Sequence, residues 1–208
     1  KIAKRSNALI DENEFEKDKA LKAKFGQMYI YKATKEGNAW KNAKPLSLNS
    51  KTYSVRNPSI SNDGKTLYFS SDMPGGMGGE DIWKVSVNGD EYGVPENLGT
   101  LVNTAGNDSF PFIAEDNILY FTSDARKGFG GFDIYKKDMN NNEEAVNVGE
   151  PVNTNKDDFS FSFNQPKKVA LFSSNRTGVD NIFTASPICG VETLIVVKDT
   201  KGNEVKSA

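Results

Sequence analysis

The sequence contains no histidine. Ser-His-Asp and Cys-His nucleophile activation both need an imidazole base, and imidazole is the commonest metal ligand, so most hydrolase templates and every histidine-ligated metal centre are excluded. Cysteine is nearly as scarce. The single Cys189 permits no intrachain disulfide, no thiolate zinc cage and no iron–sulfur cluster, and it leaves the redox compartment open. No apolar run approaches the roughly 18 residues of a membrane-spanning helix; the longest clear one is Leu194-Ile195-Val196-Val197. No basic segment leads into an apolar one in the manner of a secretory signal. An excess of positive charge is missing too. Lys plus Arg number 26 against 28 Asp plus Glu, a net charge of -2, so the broad positive field that nucleic acid demands is absent and no nucleic-acid partner is expected.

What remains is a strand-forming composition. Aromatic residues make up 11% of the chain, with 13 Phe and 7 Tyr, which is the content of a folded protein. A length of 208 residues suits one domain, or one domain and part of another. The chain opens at Lys1, in a charged stretch and without a methionine, which leads us to expect a piece of a longer precursor. Any export signal or lipid anchor is then expected outside this chain.

An internal repeat dominates the sequence. Leu67-Tyr68-Phe69-Ser70-Ser71, Leu119-Tyr120-Phe121-Thr122-Ser123 and Ala170-Leu171-Phe172-Ser173-Ser174 place their phenylalanines 52 and 51 residues apart. Ile30-Tyr31-Lys32, Ile82-Trp83-Lys84, Ile134-Tyr135-Lys136 and Ile182-Phe183 follow at 52, 52 and 48. Gly99-x3-Asn103-Thr104 returns as Gly149-x3-Asn153-Thr154 after 50. Each period holds four short strand-like runs cut by turn residues, in the first complete repeat at about 58–61, 66–71, 81–87 and 94–98, with no room for an amphipathic helix. Four strands at this period predict an all-β fold, a β-propeller whose blades bury faces that one small sheet cannot bury alone.

Two complete blades are expected, 57–108 and 109–158, flanked by the back half of one and the front of another. A propeller closes with at least about four blades, so the ring is expected to be incomplete in this chain. The domain reading is a charged insertion or linker over 1–26, blades over 27–187, and the start of a further small β domain over 188–208, where Ser186-Pro187-Ile188-Cys189-Gly190 punctuates the chain before a new alternation. Asp11 to Lys24 is mostly Glu, Asp and Lys and reads as a solvated insertion or short helix.

Few segments offer chemistry. The glycine-rich run from Asp72 to Asp81, and its echo from Asp124 to Asp133, lead into strands, whereas a phosphate cradle opens a helix; they read as long loops needing positive φ. The aspartate ahead of each isoleucine, Asp81, Asp133 and in the last repeat Asp180 before Asn181, is expected to accept backbone N–H bonds that close these loops. Asp138-x-Asn140-x-Asn142 opens like a calcium loop but has Glu143 where glycine belongs and Gly149 where the final glutamate belongs. Neighbouring acids such as Asp157-Asp158 point to opposite faces of a strand and do not converge. Catalytic, cofactor and metal sites are therefore not expected. Met73 and Met77 in one loop, Arg126, Lys127 and Phe129 in the next and Arg176 in the shortened last one recur at one place per blade, so they are expected to cluster on one rim and bind protein partners, since Met, Phe and Arg are enriched at interface cores. The alternative is that the Met and Phe side chains pack back on their own loops.

Asp63-Gly64-Lys65-Thr66-Leu67-Tyr68-Phe69-Ser70-Ser71-Asp72, followed by Pro74-Gly75-Gly76, Gly78-Gly79 and Asp81-Ile82-Trp83, resembles the WD40-like Pro-Asp propeller repeats, and more closely those of OmpA-family cell-envelope proteins. The resemblance covers about residues 27–187. In that family the propeller precedes a carboxypeptidase-regulatory-like β-sandwich and an OmpA-type peptidoglycan-binding domain, and one branch is the peptidoglycan-associated lipoprotein of the type IX secretion and gliding machinery. The resemblance implies a non-catalytic scaffold in the periplasm, associated with the outer membrane, with envelope proteins as partners and peptidoglycan held by a domain outside this chain. The alternatives are a propeller glycosidase with carboxylates lining the channel, the accessory propeller of a peptidase, and a glycan-binding module.

Overall fold

The Asp63-Gly64 pair makes the tightest local decision in the chain. Gly64 sits at φ 73° and its amide donates to the Ser61 carbonyl, while the Asp63 carboxylate collects the Ser61 hydroxyl and the Lys65 amide. Together these turn one strand back on the next. Asn117 at φ 64° and Lys168 at φ 50° make the same turn 53 and 51 residues later. Asparagine tolerates this left-handed conformation, whereas lysine at the third turn bears its steric cost.

These hairpins build a series of antiparallel sheets in a computed structural model that describes residues 2–5 and 26–187. The readings placed on 11–24 and on 188–208, the second β domain and Cys189 included, lie outside the described residues. The first sheet contains β1 (Ile2–Arg5), β2 (Met28–Glu36) and β3 (Ala39–Pro45). The second contains β4 (Val55–Ile60), β5 (Thr66–Ser71) and β6 (Asp81–Asn88), with the short β7 (Glu91–Tyr92) and β8 (Glu96–Asn97) both on the outer side of β6. The third runs β9 (Asp108–Ile113), β10 (Ile118–Ser123), β11 (Asp133–Asp138), β12 (Val146–Asn147). The fourth has β13 (Asp158–Asn164), β14 (Val169–Ser174) and β15 (Asn181–Ala185).

Two details differ from the sequence reading. Ile2–Arg5 is a strand, with Ile2 opposite Tyr31 and Arg5 opposite Met28, so the segment read as a linker begins inside the first sheet. Four residues are too few to show a period. The leading strand of the second sheet also starts at Val55, earlier than the expected 58, because a bulge divides it. Arg56 lies opposite Ser70 and Ser59 opposite Tyr68, so one extra residue is accommodated, and Asn57 takes φ 52° to do so. Phe110 at φ 52° and Ser160 at φ 58° repeat the bulge in β9 and β13.

The second and third sheets each bury one face against the sheet before and the other against the sheet after. Ile30 of β2 enters a core with Val55, Leu67, Phe69, Met73, Trp83 and Val85 of the second sheet. Tyr68 and Ile82, on the opposite face of that sheet, enter the next core with Ile113, Leu119, Phe121 and Tyr135. Tyr120 of the third sheet stacks on Phe161 of the fourth with ring centroids 4.5 Å apart. Burying an isoleucine in this way stabilises by about 1.5–3 kcal/mol. Leu171 and Ile182 hold the positions of Tyr68 and Ile82 on the fourth sheet, where they are 46% and 76% exposed.

Candidate functional site

The loops that leave the second strand of each sheet gather along one edge and are stitched to the connectors between sheets. Gly79 donates its amide to the Gly106 carbonyl at 2.8 Å, and Asp108 donates to the Glu80 carbonyl at 2.7 Å. The Asp124 carboxylate accepts the Asn107 backbone amide and side-chain amide, both at 2.7 Å. One sheet further on, Asp157 and Asn175 make the corresponding contact at 2.9 and 2.8 Å. These bonds join the loop 72–80, the connector 104–108 and the loop 124–132 into a continuous rim.

Asp81 and Asp133 organise the two long loops from below. One oxygen of Asp81 accepts the Met77 and Gly78 amides at 2.7 and 3.3 Å; one oxygen of Asp133 accepts those of Phe129 and Gly130 at 2.8 and 3.2 Å. Burial pushes the Asp133 carboxyl above its ordinary pKa, opposed by these amides. Asp180 does not share this role. It is exposed in the last turn, and Asn181 stands in register opposite Ser174 as Asp81 does opposite Ser71, giving its amide to the Thr177 hydroxyl at 2.8 Å. The last loop is shorter, so Asn181 rather than the expected Asp180 takes the equivalent place.

The glycines also act differently from the expectation. Of the two runs only Gly75 has positive φ. A Cβ on Gly78 or Gly130 would lie 2.2 or 2.1 Å from the carbonyl of Gly106 or Lys156, and one on Gly76 or Gly128 would strike the Asp81 or Asp133 carboxylate. Close approach of rim backbone to connector, rather than handedness of the turn, demands glycine.

Of the six residues expected to bind partners, three turn inward. Met73 is 8% exposed and packs in the core beside Phe69 and Trp83. Arg126 covers the Phe121 and Tyr135 rings at 5.7 and 5.9 Å and donates to the Thr100 carbonyl. Arg176 covers Phe172 and Phe183 at 5.1 and 4.8 Å, pairs with the fully buried Asp158 at 2.6 Å and donates to the carbonyls of Pro151 and Val152. In the second, third and fourth sheets one side chain thus lids the aromatic pair of the second and third strands, which accounts for the repeat spacing of these residues. Met77, Lys127 and Phe129 face solvent, with Met77 42% and Phe129 50% exposed. Met77 and Phe129 occupy equivalent tips, each four residues before the aspartate that holds its amide.

Sequence reasoning passed over several buried polar residues. Asn103 and Asn153 accept the amides of Ile82 and Ile134 at 2.8 and 2.9 Å and donate to the carbonyls of the same residues at 2.9 and 2.8 Å, completing the sheet edge with a side-chain amide. Asn49 does the same for Ile30 at 2.9 Å both ways. The shared signal was an apolar-Asn-Ser/Thr triplet, Leu48-Asn49-Ser50, Val102-Asn103-Thr104 and Val152-Asn153-Thr154. Glu80 is buried in a two-pronged pair with Arg56; burial raises its pKa and Arg56 opposes the rise. Asp108 and Asp158 take the amide and hydroxyl of Thr104 and Thr154. Each buried carboxylate of the rim thus gives at least one oxygen to backbone amides, a hydroxyl or arginine. Among the described residues no group of three or more acidic or cysteine side chains is arranged to hold a metal ion.

No family model matches the sequence, and no curated protein matches it. Among solved structures, TolB from Acinetobacter baumannii is similar over 79% of this chain, with a TM-score of 0.51 and 15% identity. A puromycin-hydrolyzing peptidase from Mycobacterium tuberculosis aligns over 79% of this chain with a TM-score of 0.45 and 12% identity. The chain spans 37% of the TolB chain and 28% of the peptidase chain. At such identity the likeness to TolB speaks to the fold alone, and it shows that the successive sheets are blades of a β-propeller.

Proposed function

We propose that this chain is a non-catalytic propeller module that binds protein partners of a bacterial envelope through the rim formed by its long loops. The observation that carries the reading is the pair of exposed apolar tips, Met77 and Phe129, held at equivalent places on adjacent blades by buried aspartates. A rigid support lowers the entropic cost of binding, and apolar tips ringed by backbone and a lysine suit an interface core. The resemblance to OmpA-family envelope repeats supports a periplasmic location, association with the outer membrane, and a longer lipoprotein whose other domains reach peptidoglycan. The same resemblance supports a part in the type IX secretion machinery. The use of one oxygen of each rim aspartate to hold loop backbone supports a structural rather than a catalytic role for them.

The test is affinity capture from envelope extracts in moderate salt, with mass spectrometry of what stays bound. Secretion or outer-membrane components in stoichiometric amounts are the expected result. Turnover of a glycan or peptide by the protein, with no protein captured, would contradict the proposal.

A further inference from the structure

Two places where the outer strands depart from the repeat meet each other. The outermost strand of the first sheet, β3, has seven residues, where the outermost strands β8 and β12 of the next two sheets have two. Among the described residues the second sheet alone adds β7, reached through a turn at Gly89 and Asp90. Lys32 of β2 joins the two features, its ammonium donating to the Gly89 carbonyl at 2.8 Å and pairing with the Asp90 carboxylate at 2.5 Å. Between them lies a cleft of about 750 Å³, lined by Lys32, Thr34, Asn42 and Lys44 on the hairpin and by Asp90 and Tyr92 across from it. The strand β6 runs from the rim at Asp81 to this turn, so the cleft lies at the end of the strand away from the rim.

Charge is unevenly matched in this cleft. Ile30 and Lys32 lie on one face of β2, the face turned toward the second sheet. Lys44 of β3 stands directly opposite Lys32 and shares that face. Like charges directly opposite each other on paired strands repel. Asp90 offsets Lys32: the hydrogen bond and charge of Lys32 hold the Asp90 carboxyl below its ordinary pKa, and the charge of Lys44 reaches it as well. Lys44 itself makes no hydrogen bond and no ion pair among the described residues. Two ammonium groups and one carboxylate thus leave the cleft with a net charge of +1.

We propose that this cleft binds a small organic carboxylate with a polar body, the carboxylate being taken by the Lys44 ammonium. One negative charge matches the net charge of the cleft, whereas the second charge of a phosphate at neutral pH would meet Asp90. An ammonium–carboxylate hydrogen bond is short and strong, and a bound carboxylate relieves the repulsion between the two lysines. Thr34 and Asn42 offer a hydroxyl and a carboxamide to the body of the ligand, and the Tyr92 ring supplies an apolar wall. The volume lies within the roughly 300–1,000 Å³ of small-molecule sites. A cationic ligand is repelled by the pair of ammonium groups. None of the rim residues takes part, so the inference stands or falls independently of the rim's binding of protein.

The experiment is an NMR titration of the full chain, following backbone amide shifts, with N-acetyl-alanyl-alanine and glucuronate as carboxylate probes and with N-acetyl-alanyl-alaninamide, glucose and inorganic phosphate as controls. Saturable shifts at Thr34, Lys44 and Asp90 with one or both carboxylates, and none with the neutral controls, are the expected result; the tighter of the two tells a peptide terminus from a sugar acid. Lys44→Ala is expected to weaken binding about tenfold, the worth of a hydrogen bond to a charged group, and Lys44→Arg to retain it. Lys41→Ala is expected to leave affinity unchanged, because the Lys41 ammonium is already paired with Glu36 at 2.8 Å. No saturable shift with either carboxylate, equal shifts with the neutral controls, tighter binding of phosphate, or undiminished affinity in Lys44→Ala would overturn the proposal. Lys44 is exposed, so its variants are expected to fold; should one fail to, the titration of the wild-type protein decides alone.

Discussion

Asn107 and Asp124 face each other across the rim with two bonds of 2.7 Å, and one blade later the same contact is made with the chemistry exchanged, Asp157 giving the carboxylate and Asn175 the amide. The contact needs one amide and one carboxylate and is indifferent to whether the connector or the loop supplies which. Asp124→Ala is expected to destabilise by about 1 kcal/mol, the net worth of an exposed hydrogen-bonded pair. The exchanged double variant Asn107→Asp/Asp124→Asn is expected to return most of that loss. Denaturant titration of the single and double variants measures it, and a double variant as unstable as Asp124→Ala contradicts the account.

Arg176 and Asp158 make a stronger claim. Asp158 is fully buried, and Arg176 is its ion-pair partner at 2.6 Å. Removing the arginine leaves an uncompensated buried charge, so Arg176→Ala is expected to cost about 3–5 kcal/mol. Arg126 stacks on its aromatic pair and donates to the Thr100 carbonyl but makes no ion pair with Asp108, and Arg126→Ala is expected to cost about 1–2 kcal/mol. Thermal denaturation of the two variants ranks them; equal losses would refute the distinction.

Much of this architecture is visible in the chain itself, and the reason is repetition. The hairpin from Asp63 to Gly64 and the Leu-Tyr-Phe strand return at one period, so the blades are legible without a structure. Bulges at Asn57, Phe110 and Ser160 are not, because residues of such different character share one backbone conformation imposed by the sheet. The rim was half legible. Spacing alone placed Met73, Arg126 and Arg176 beside Met77 and Phe129, but the side-chain direction that buries the first three depends on the aromatic pair beneath. In the last repeat, where the loop is shorter, Asn181 rather than Asp180 takes the place of Asp81.

Gly78 and Gly130 provide a steric test. A methyl group at either position meets a carbonyl oxygen that belongs to the next connector. Gly78→Ala or Gly130→Ala is expected to cost about 1–3 kcal/mol, as overpacking does. Gly89 lies at φ 61° with open space around it, so Gly89→Ala is expected to cost about 1–2 kcal/mol through backbone strain alone and to leave hydrogen exchange of the rim unchanged. Faster exchange at the rim in the first two variants but not in the third is the expected pattern. Uniform exchange in all three would show that the rim is not held by close approach.

Asp108 sets a pH dependence. Burial raises its carboxyl above the ordinary 3.8, against the opposing bonds from Ser123 and Thr104 and the charge of Arg126. A carboxyl whose folded pKa is raised binds more protons folded than unfolded, so its contribution to stability is full below 3.8 and is lost as pH rises through the folded value. Asp108→Asn is expected to flatten the fall in stability above pH 3.8 while keeping an acceptor for the Thr104 amide. The first complete blade carries Val55 at this position. Chemical denaturation across pH checks this, and an unchanged slope would contradict it.

The central claim is that the rim binds protein through Met77 and Phe129. The most direct measurement compares capture from an envelope extract by wild type and by Met77→Ser/Phe129→Ser, after thermal denaturation has shown that the two proteins are equally stable. The account predicts that the variant loses the specifically captured proteins while its fold is intact. Retention of the same proteins in the same amounts by the variant would contradict it.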